Sequence, residues 1–484
     1  MRKPVFCRAP AVGTLVVLSL AAFPAWAHAF GVRYDLPLPL GLYLLGAGAT
    51  VALSFLIMAL FLRRLGRDQE TTRLDLTAIP ACSWLGSGPL LNLFRGCSVM
   101  VFGLILAACF AGNPQPFHNI APTFVWVIWW VGMAFVSALA GDLWALLNPW
   151  AILFGWARRR PLGASPPRPY PQRLGHWPAL VLFLVFAWLE LISETGEKPR
   201  ILGVLILIYS GITWTGMVRY GRAAWLRYGE VFSVVFGLLA RFAPSAVVDG
   251  RWVLRFPAVG LLSRRPVPFS TVCLVLLLLT TVTFDGILET PLWADILDWI
   301  AENQALRPAL IALQNNGVNL IIVIKSVALL ALPCVFAAVY LFTAVLIARC
   351  GGGGVSRADI AGYFVLTLVP IAIAYHLSHY LSYLLIAGQN IIALVSDPFG
   401  VGWDLFGTAN HAIDLGIVNA KMVWYVAVSA IVIGHVAAVY IAHVMALRVF
   451  AQPARALWSQ APMLVLMVGY TMISLWILSQ PVVS

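Results

Sequence analysis

Two histidines three residues apart, His376 and His379 in "AYHLSHYLSY", lie inside an apolar run, and three more ionisable residues share that setting. They are Glu190 in "FAWLELISE", Asp285 in "TTVTFDG" and Lys325 in "IIVIKSV". Residues at i and i+3 of a helix share one face, so two imidazoles can meet one ligand. With Asp285 or Glu190 they make a nitrogen and oxygen donor set suited to zinc, copper or iron. A metal held there would lower the pKa of bound water toward ~7, and Lys325 would stabilise developing negative charge. A charge at membrane depth costs roughly 2.5–3.5 kcal/mol on insertion scales, so each of these residues needs a partner or a chemical role. The expectation is His376 and His379 as metal ligands, with Asp285, Glu190 and Lys325 as catalytic groups. The plainer alternative is helix packing through a lysine–carboxylate ion pair and interhelical hydrogen bonds.

The elements that position these residues follow from composition. Of 484 residues, 61% are hydrophobic and 10% charged, where a soluble domain carries roughly 25% charged residues. The expected fold class is an all-α polytopic integral membrane protein. Apolar runs near 40–62, 98–112, 121–147, 177–194, 199–217, 270–287, 318–348, 361–396, 422–446 and 462–480 give ten spans. The long runs at 121–147, 318–348 and 361–396 are expected to tilt or break, the last at Pro370. Two amphipathic stretches, Tyr220–Phe242 and Pro291–Gln314, are expected at the membrane interface.

Alternate loops are arginine-rich, holding for example Arg63, Arg64 and Arg67, then Arg158–Arg160, then Arg219, Arg222 and Arg227. Such loops face the cytoplasm, which places "SDPFGVGWDLFGTANHAIDLG" outside. Counted at ~1.5 Å per residue from the basic ends, Glu190 lies about 20 Å up, Asp285 and His376 about 22 Å and His379 about 27 Å. Lys325, counted from the other end, reaches the same level, so five ionisable residues from four helices fall in one layer. His435 sits roughly 10 Å deeper by the same count and reads as a packing histidine. His443 reads as an interface residue, and Asp142 as a polar anchor at a helix end.

The stretch "FPAWAHAFGVRYDLPLP" raises the question of a leader. Arg2, Lys3 and Arg8 precede an apolar core, Val12–Phe23, and Ala25-Trp26-Ala27 fits a small-x-small cleavage pattern. That core is shorter than the ~20 residues a span needs. Residues 1–27 are therefore expected to be a signal peptide, and 28–484 a single transmembrane domain. The mature N-terminus would then be His28, whose α-amine and ring together chelate one ion. The arrangement resembles the histidine brace of copper monooxygenases. His28 is accordingly a third candidate metal ligand. Both mature termini would face the periplasm from a bacterial inner membrane.

The chain also resembles a family, the bacterial integral membrane proteins called fenitrothion hydrolase. The stretches that carry this are "AHAFGVRYDLPLPLGLYL", "NIAPTFVWVIWWVGMAFVSALAGDLWALLNPW", "LGHWPALVLFLVFAWLEL", "TFDG", "LVSDPFGVGWDLFGTA" and "IGHVAAVYIAH". The resemblance implies hydrolysis of a lipophilic organothiophosphate triester with release of a nitrophenol. Such a substrate would partition into the bilayer and arrive laterally.

Other classes are narrowed by what the sequence lacks. It has no P-loop, GxSxG or HExxH motif, so nucleotide hydrolysis, an elbow serine and zincin chemistry have no support. The seven cysteines form no CxxC pair, and nothing resembles a nucleic-acid module. Neither nucleotide nor flavin is expected. The expected partners are the bilayer, a lipophilic substrate and a second membrane subunit; the expected cofactor is copper or zinc, with iron a further candidate. The alternatives are a copper-binding or copper-oxidising membrane protein using His28, and a transporter, for which no internal repeat is found.

Overall fold

The structure, a computed structural model, describes residues 38–61, 73–158 and 167–483. The leader and His28 lie outside the described residues. The chain is an all-α polytopic membrane protein, and ten helices among the described residues are long and apolar enough to cross a bilayer. The first five are α1 (Leu40–Phe61), α2 (Gly88–Ala111), α3 (Ile120–Leu139), α4 (Gln172–Leu191) and α5 (Pro199–Tyr220). The second five are α6 (Phe269–Leu288), α7 (Leu320–Cys350), α8 (Arg357–Ser396), α9 (Ala420–Val449) and α10 (Pro453–Gln480). Each of the ten apolar runs has its helix. α2 starts well before its run because the helix absorbs Arg95, whose long stem can carry its charge toward the interface.

Two of the three long runs break, each for a local reason. In α3 the segment Thr123–Val131 is a π-helix, and Gly141, at φ 151°, ends the span before a short helix at Trp144–Leu147. In α8 a helix at Arg357–Phe364 tightens to a 3-10 turn at Val365–Leu368 and resumes at Val369 with Pro370 in its first turn. Proline has no N–H to give the preceding turn, so the helix restarts there. α7 stays continuous over 31 residues through Pro333. At about 46 Å it exceeds a ~30 Å hydrocarbon core and must tilt or project.

Pro291–Gln314 forms two largely exposed amphipathic helices, Pro291–Glu302 and Arg307–Asn315. The other expected interfacial stretch behaves differently. Its Val231–Leu239 helix turns inward, burying Val231, Phe232, Val235 and Phe236. Phe232 packs edge-on to Trp129 at 4.5 Å, so ring packing inside the bundle outweighs an interfacial position. A small antiparallel sheet, β1 (Leu74–Asp75), β2 (Ser245–Val248) and β3 (Arg251–Leu254), pairs in the order β1-β3-β2. Its hairpin turns at Asp249-Gly250, both at positive φ, which suits the twist of a two-residue turn.

α6 and α8 are the most enclosed spans, 83% of their apolar windows being buried against 6% for α7. A helix apolar on all sides belongs inside, and these two carry Asp285 and the histidine pair. α8 packs chiefly on α9, where the helices approach closely at Gly434. A Cβ there would lie 2.4 Å from Ala374 Cβ and 2.9 Å from the Pro370 carbonyl oxygen. Gly434→Ala should therefore overpack the crossing at a cost of about 1–3 kcal/mol. The check is the thermal midpoint in detergent, expected to fall; an unchanged midpoint would contradict this close contact.

Candidate functional site

α6 and α8 bring Asp285 and His379 together. His379 Nε2 lies 2.8 Å from Asp285 Oδ2, with side-chain exposures of 12% and 9%. The Tyr380 hydroxyl donates to the same oxygen at 2.9 Å. A carboxylate only accepts, so Nε2 carries the proton in this contact and Nδ1 is left as the basic nitrogen. Inside a low-dielectric bundle such a pair holds the imidazole more firmly than it would in water.

His376, one turn earlier, does not join that pair. Its ring is caged by Trp130 at 6.1 Å, Phe135 at 5.8 Å and Tyr380 at 4.7 Å. Its Nε2 is buried without a hydrogen-bond partner. Glu190 on α4 lies close enough for its charge and that of Asp285 to act on each other, with the Trp130 indole beside it. Lys325 forms no ion pair among the described residues; its charge reaches the site through Glu289. Its neighbour Ser326 accepts from Trp188 Nε1 at 2.8 Å, tying α7 to α4. Asp285 and His379 are thus in contact, Glu190 and His376 lie within electrostatic reach of them, and Lys325 lies within reach of Glu289.

Three tyrosines and a glutamate complete the site and were not expected from sequence. Tyr380 holds the carboxylate, and Tyr375 stacks edge-on to His379 at 6.3 Å. Tyr383 is within electrostatic reach of Glu197, Glu190 and Asp285. Glu289, just past the end of α6, has its carboxyl raised above the usual range. Burial is the main cause and the Asp285 charge adds to it, while His379 and Lys325 oppose. The three tyrosines fall in "AYHLSHYLSY", in step with the histidines, which is the signal that would have found them.

Two other histidines are structural. His435 is fully buried and donates through Nδ1 to the Ile431 carbonyl at 2.8 Å, as expected of a packing residue. His443, read from sequence as an interface residue, is fully buried among protein side chains, with Nδ1 2.9 Å from Gln460 Oε1. The α10 residue Gln460 gives Nδ1 a polar partner, while Nε2 is buried without one. Asp142 anchors a helix start as expected, accepting from Ala145 N at 3.1 Å.

No protein-family model, curated protein or solved structure matches this chain. Its chemistry is therefore read from the site alone. Among the described residues, no three His, Cys, Asp or Glu side chains converge as a metal site. His379 Nε2 is engaged by Asp285, which leaves Nδ1 as the nitrogen available to a proton or another ligand.

Proposed function

We propose that this chain is a membrane-embedded hydrolase in which His379, oriented by Asp285, activates water against a neutral lipophilic phosphotriester. The observation that carries this is the 2.8 Å contact between His379 Nε2 and Asp285 Oδ2, buried inside a bundle of membrane-spanning helices. The substrate class is the one implied by the resemblance to fenitrothion hydrolase. His379 Nδ1 takes a proton from water as hydroxide bonds to phosphorus. The phosphorus–aryloxide bond breaks, and the proton passes to the departing aryloxide, giving a phosphoric diester acid and a phenol. Tyr380 and Asp285 keep the imidazole in one tautomer, and Lys325 offsets negative charge at the outer edge.

Glu289 offers a pH test. Its carboxyl ionises at higher pH than an ordinary glutamate, chiefly because it is buried. Once ionised it places a second negative charge beside the pair, which favours retention of a proton there. Glu289→Gln removes that charge at every pH, so the rise of kcat/KM with pH should begin at lower pH than in the wild type. A profile that does not move would remove Glu289 from the site.

A second reading is favoured by the buried, unpartnered His376 Nε2, which leaves one donor free for a copper or zinc ion. The further ligand would be His28, which lies outside the described residues. Metal analysis of the purified protein, paired with intact mass, separates the two. Near-stoichiometric metal on a chain starting at His28, lost in His376→Ala, would establish the metal reading. Turnover with less than a tenth of an equivalent of metal would establish the acid–base pair alone.

A further inference from the structure

A cavity of about 460 Å³ is walled in part by α4, the helix that also carries Glu190. It is bounded by α2, α3, α4, α5 and the buried Val231–Leu239 helix. Its walls include Phe102, Trp126, Trp129, Trp144, Trp150 and Phe186. Leu189 lines this cavity while the next residue, Glu190, faces the charged layer. The Trp130–Phe186 ring contact, at 4.7 Å, stands between the two.

Three features define what this space accepts. First, its volume falls within the range of roughly 300–1,000 Å³ typical of small-molecule sites. Second, several polar groups around it are already engaged. Tyr209 donates to Glu230, Trp150 Nε1 to Ser210 Oγ at 2.7 Å, and Trp126 Nε1 to the Gly196 carbonyl at 3.3 Å. The indole nitrogens of Trp129 and Trp144 have no partner but are buried beneath the ring surfaces, and no charged side chain lines the space, so the ligand must be neutral. Third, the mouth is lipid-facing: Val101, Val185 and Ile208 at its rim are 37%, 51% and 56% exposed.

The wall itself is unusual. Phe124, Val125, Trp126 and Trp129 project from the π-helical segment of α3, a rare backbone form that tends to occur at functional sites. Rings held edge-to-face, such as Phe102 on Trp150 at 5.4 Å, leave preset surfaces on which a planar ring can stack. A saturated chain gains burial there but no ring stacking. We infer that this cavity binds one neutral, aryl-bearing lipophile drawn laterally from the bilayer. The inference stands independently of the hydrolase reading.

Pyrene is a suitable probe, because tryptophan emission transfers to it. In nanodiscs the wild-type protein should show saturable transfer at one pyrene per chain, above the linear partition seen in empty discs. Val101→Phe with Val185→Phe fills the mouth at two partly lipid-facing positions, where the added bulk should not disturb folding. It should weaken binding at least tenfold. Methyl palmitate at equal concentration should leave pyrene bound. Absence of a saturable component would overturn the proposal, as would undiminished saturation in the filled variant. Displacement by methyl palmitate would overturn it too, reassigning the cavity to a lipid acyl chain. If the filled variant fails to fold, wild-type saturation and the palmitate competition decide between these outcomes.

Discussion

Asp285→Asn should reduce turnover of a neutral aryl phosphotriester by roughly 10³-fold, within the range that a positioned acid–base group supplies. The replacement is isosteric, so insertion and helix packing should survive. The new side chain can, however, present its amide N–H₂ to His379 where the carboxylate accepted, which favours the wrong tautomer. The basic nitrogen would then turn toward that amide rather than toward water. His379→Gln should fall to a similar level, and the double variant should lose little more, because the two residues act as one unit. Tyr380→Phe removes a donor to Asp285 Oδ2 but leaves His379 in place, and should cost far less, on the order of tenfold. The check is steady-state nitrophenol release by purified protein in detergent. Full activity in Asp285→Asn would reduce the pair to a helix-packing contact.

The second large effect concerns folding. Glu230 is fully buried and caps the Val231–Leu239 helix, accepting from Phe232 N at 3.1 Å and Ser233 N at 2.8 Å. Asn148 Nδ2 donates to it at 3.1 Å, and the Tyr209 hydroxyl donates as well. Glu230→Ala would remove the acceptor of all four donors, of which Asn148 Nδ2 alone keeps a second, Ser233 Oγ at 3.2 Å. Unmade buried hydrogen bonds cost roughly 1–3 kcal/mol each, so the total loss is on the order of 3 kcal/mol or more. Thermal unfolding in detergent should show a large drop for Glu230→Ala. Glu230→Gln, which keeps one acceptor oxygen, should show a smaller one. Equal midpoints for Glu230→Ala and the wild type would contradict this reading of the cap.

Much of this organisation could be read from the sequence, and the reasons differ by element. The ten spans were legible because a bilayer demands long apolar runs of the chain itself, whatever their neighbours. The break at Pro370 was legible because proline acts locally, whereas length alone marked 121–147 and 318–348 alike, and only the first of these breaks. The level shared by Asp285 and His379 followed from counting helical rise. Which residues at that level would touch did not follow, because rotation about each helix axis is set by packing. Gly434 fixes that packing for α8, and a glycine gives no sign in sequence of what it lies against. His376 and His379 share a helix face, yet His379 meets Asp285 while aromatic rings enclose His376. Glu230 is not legible as a buried cap because a lone acid before an apolar run reads equally as a solvated interfacial residue. The Val231–Leu239 helix it caps turns inward only because α3 and α4 offer rings to receive it.

The most direct measurement is hydrolysis of an aryl thiophosphate triester by the purified wild-type chain in proteoliposomes made with ¹⁸O-labelled water. Water activated by His379 attacks phosphorus, so the label should appear in the phosphoric product and not in the phenol. The rate should exceed that of protein-free vesicles and of vesicles carrying Asp285→Asn. No release above protein-free vesicles, or label found in the phenol, would contradict the assignment of His379 and Asp285 as the water-activating pair.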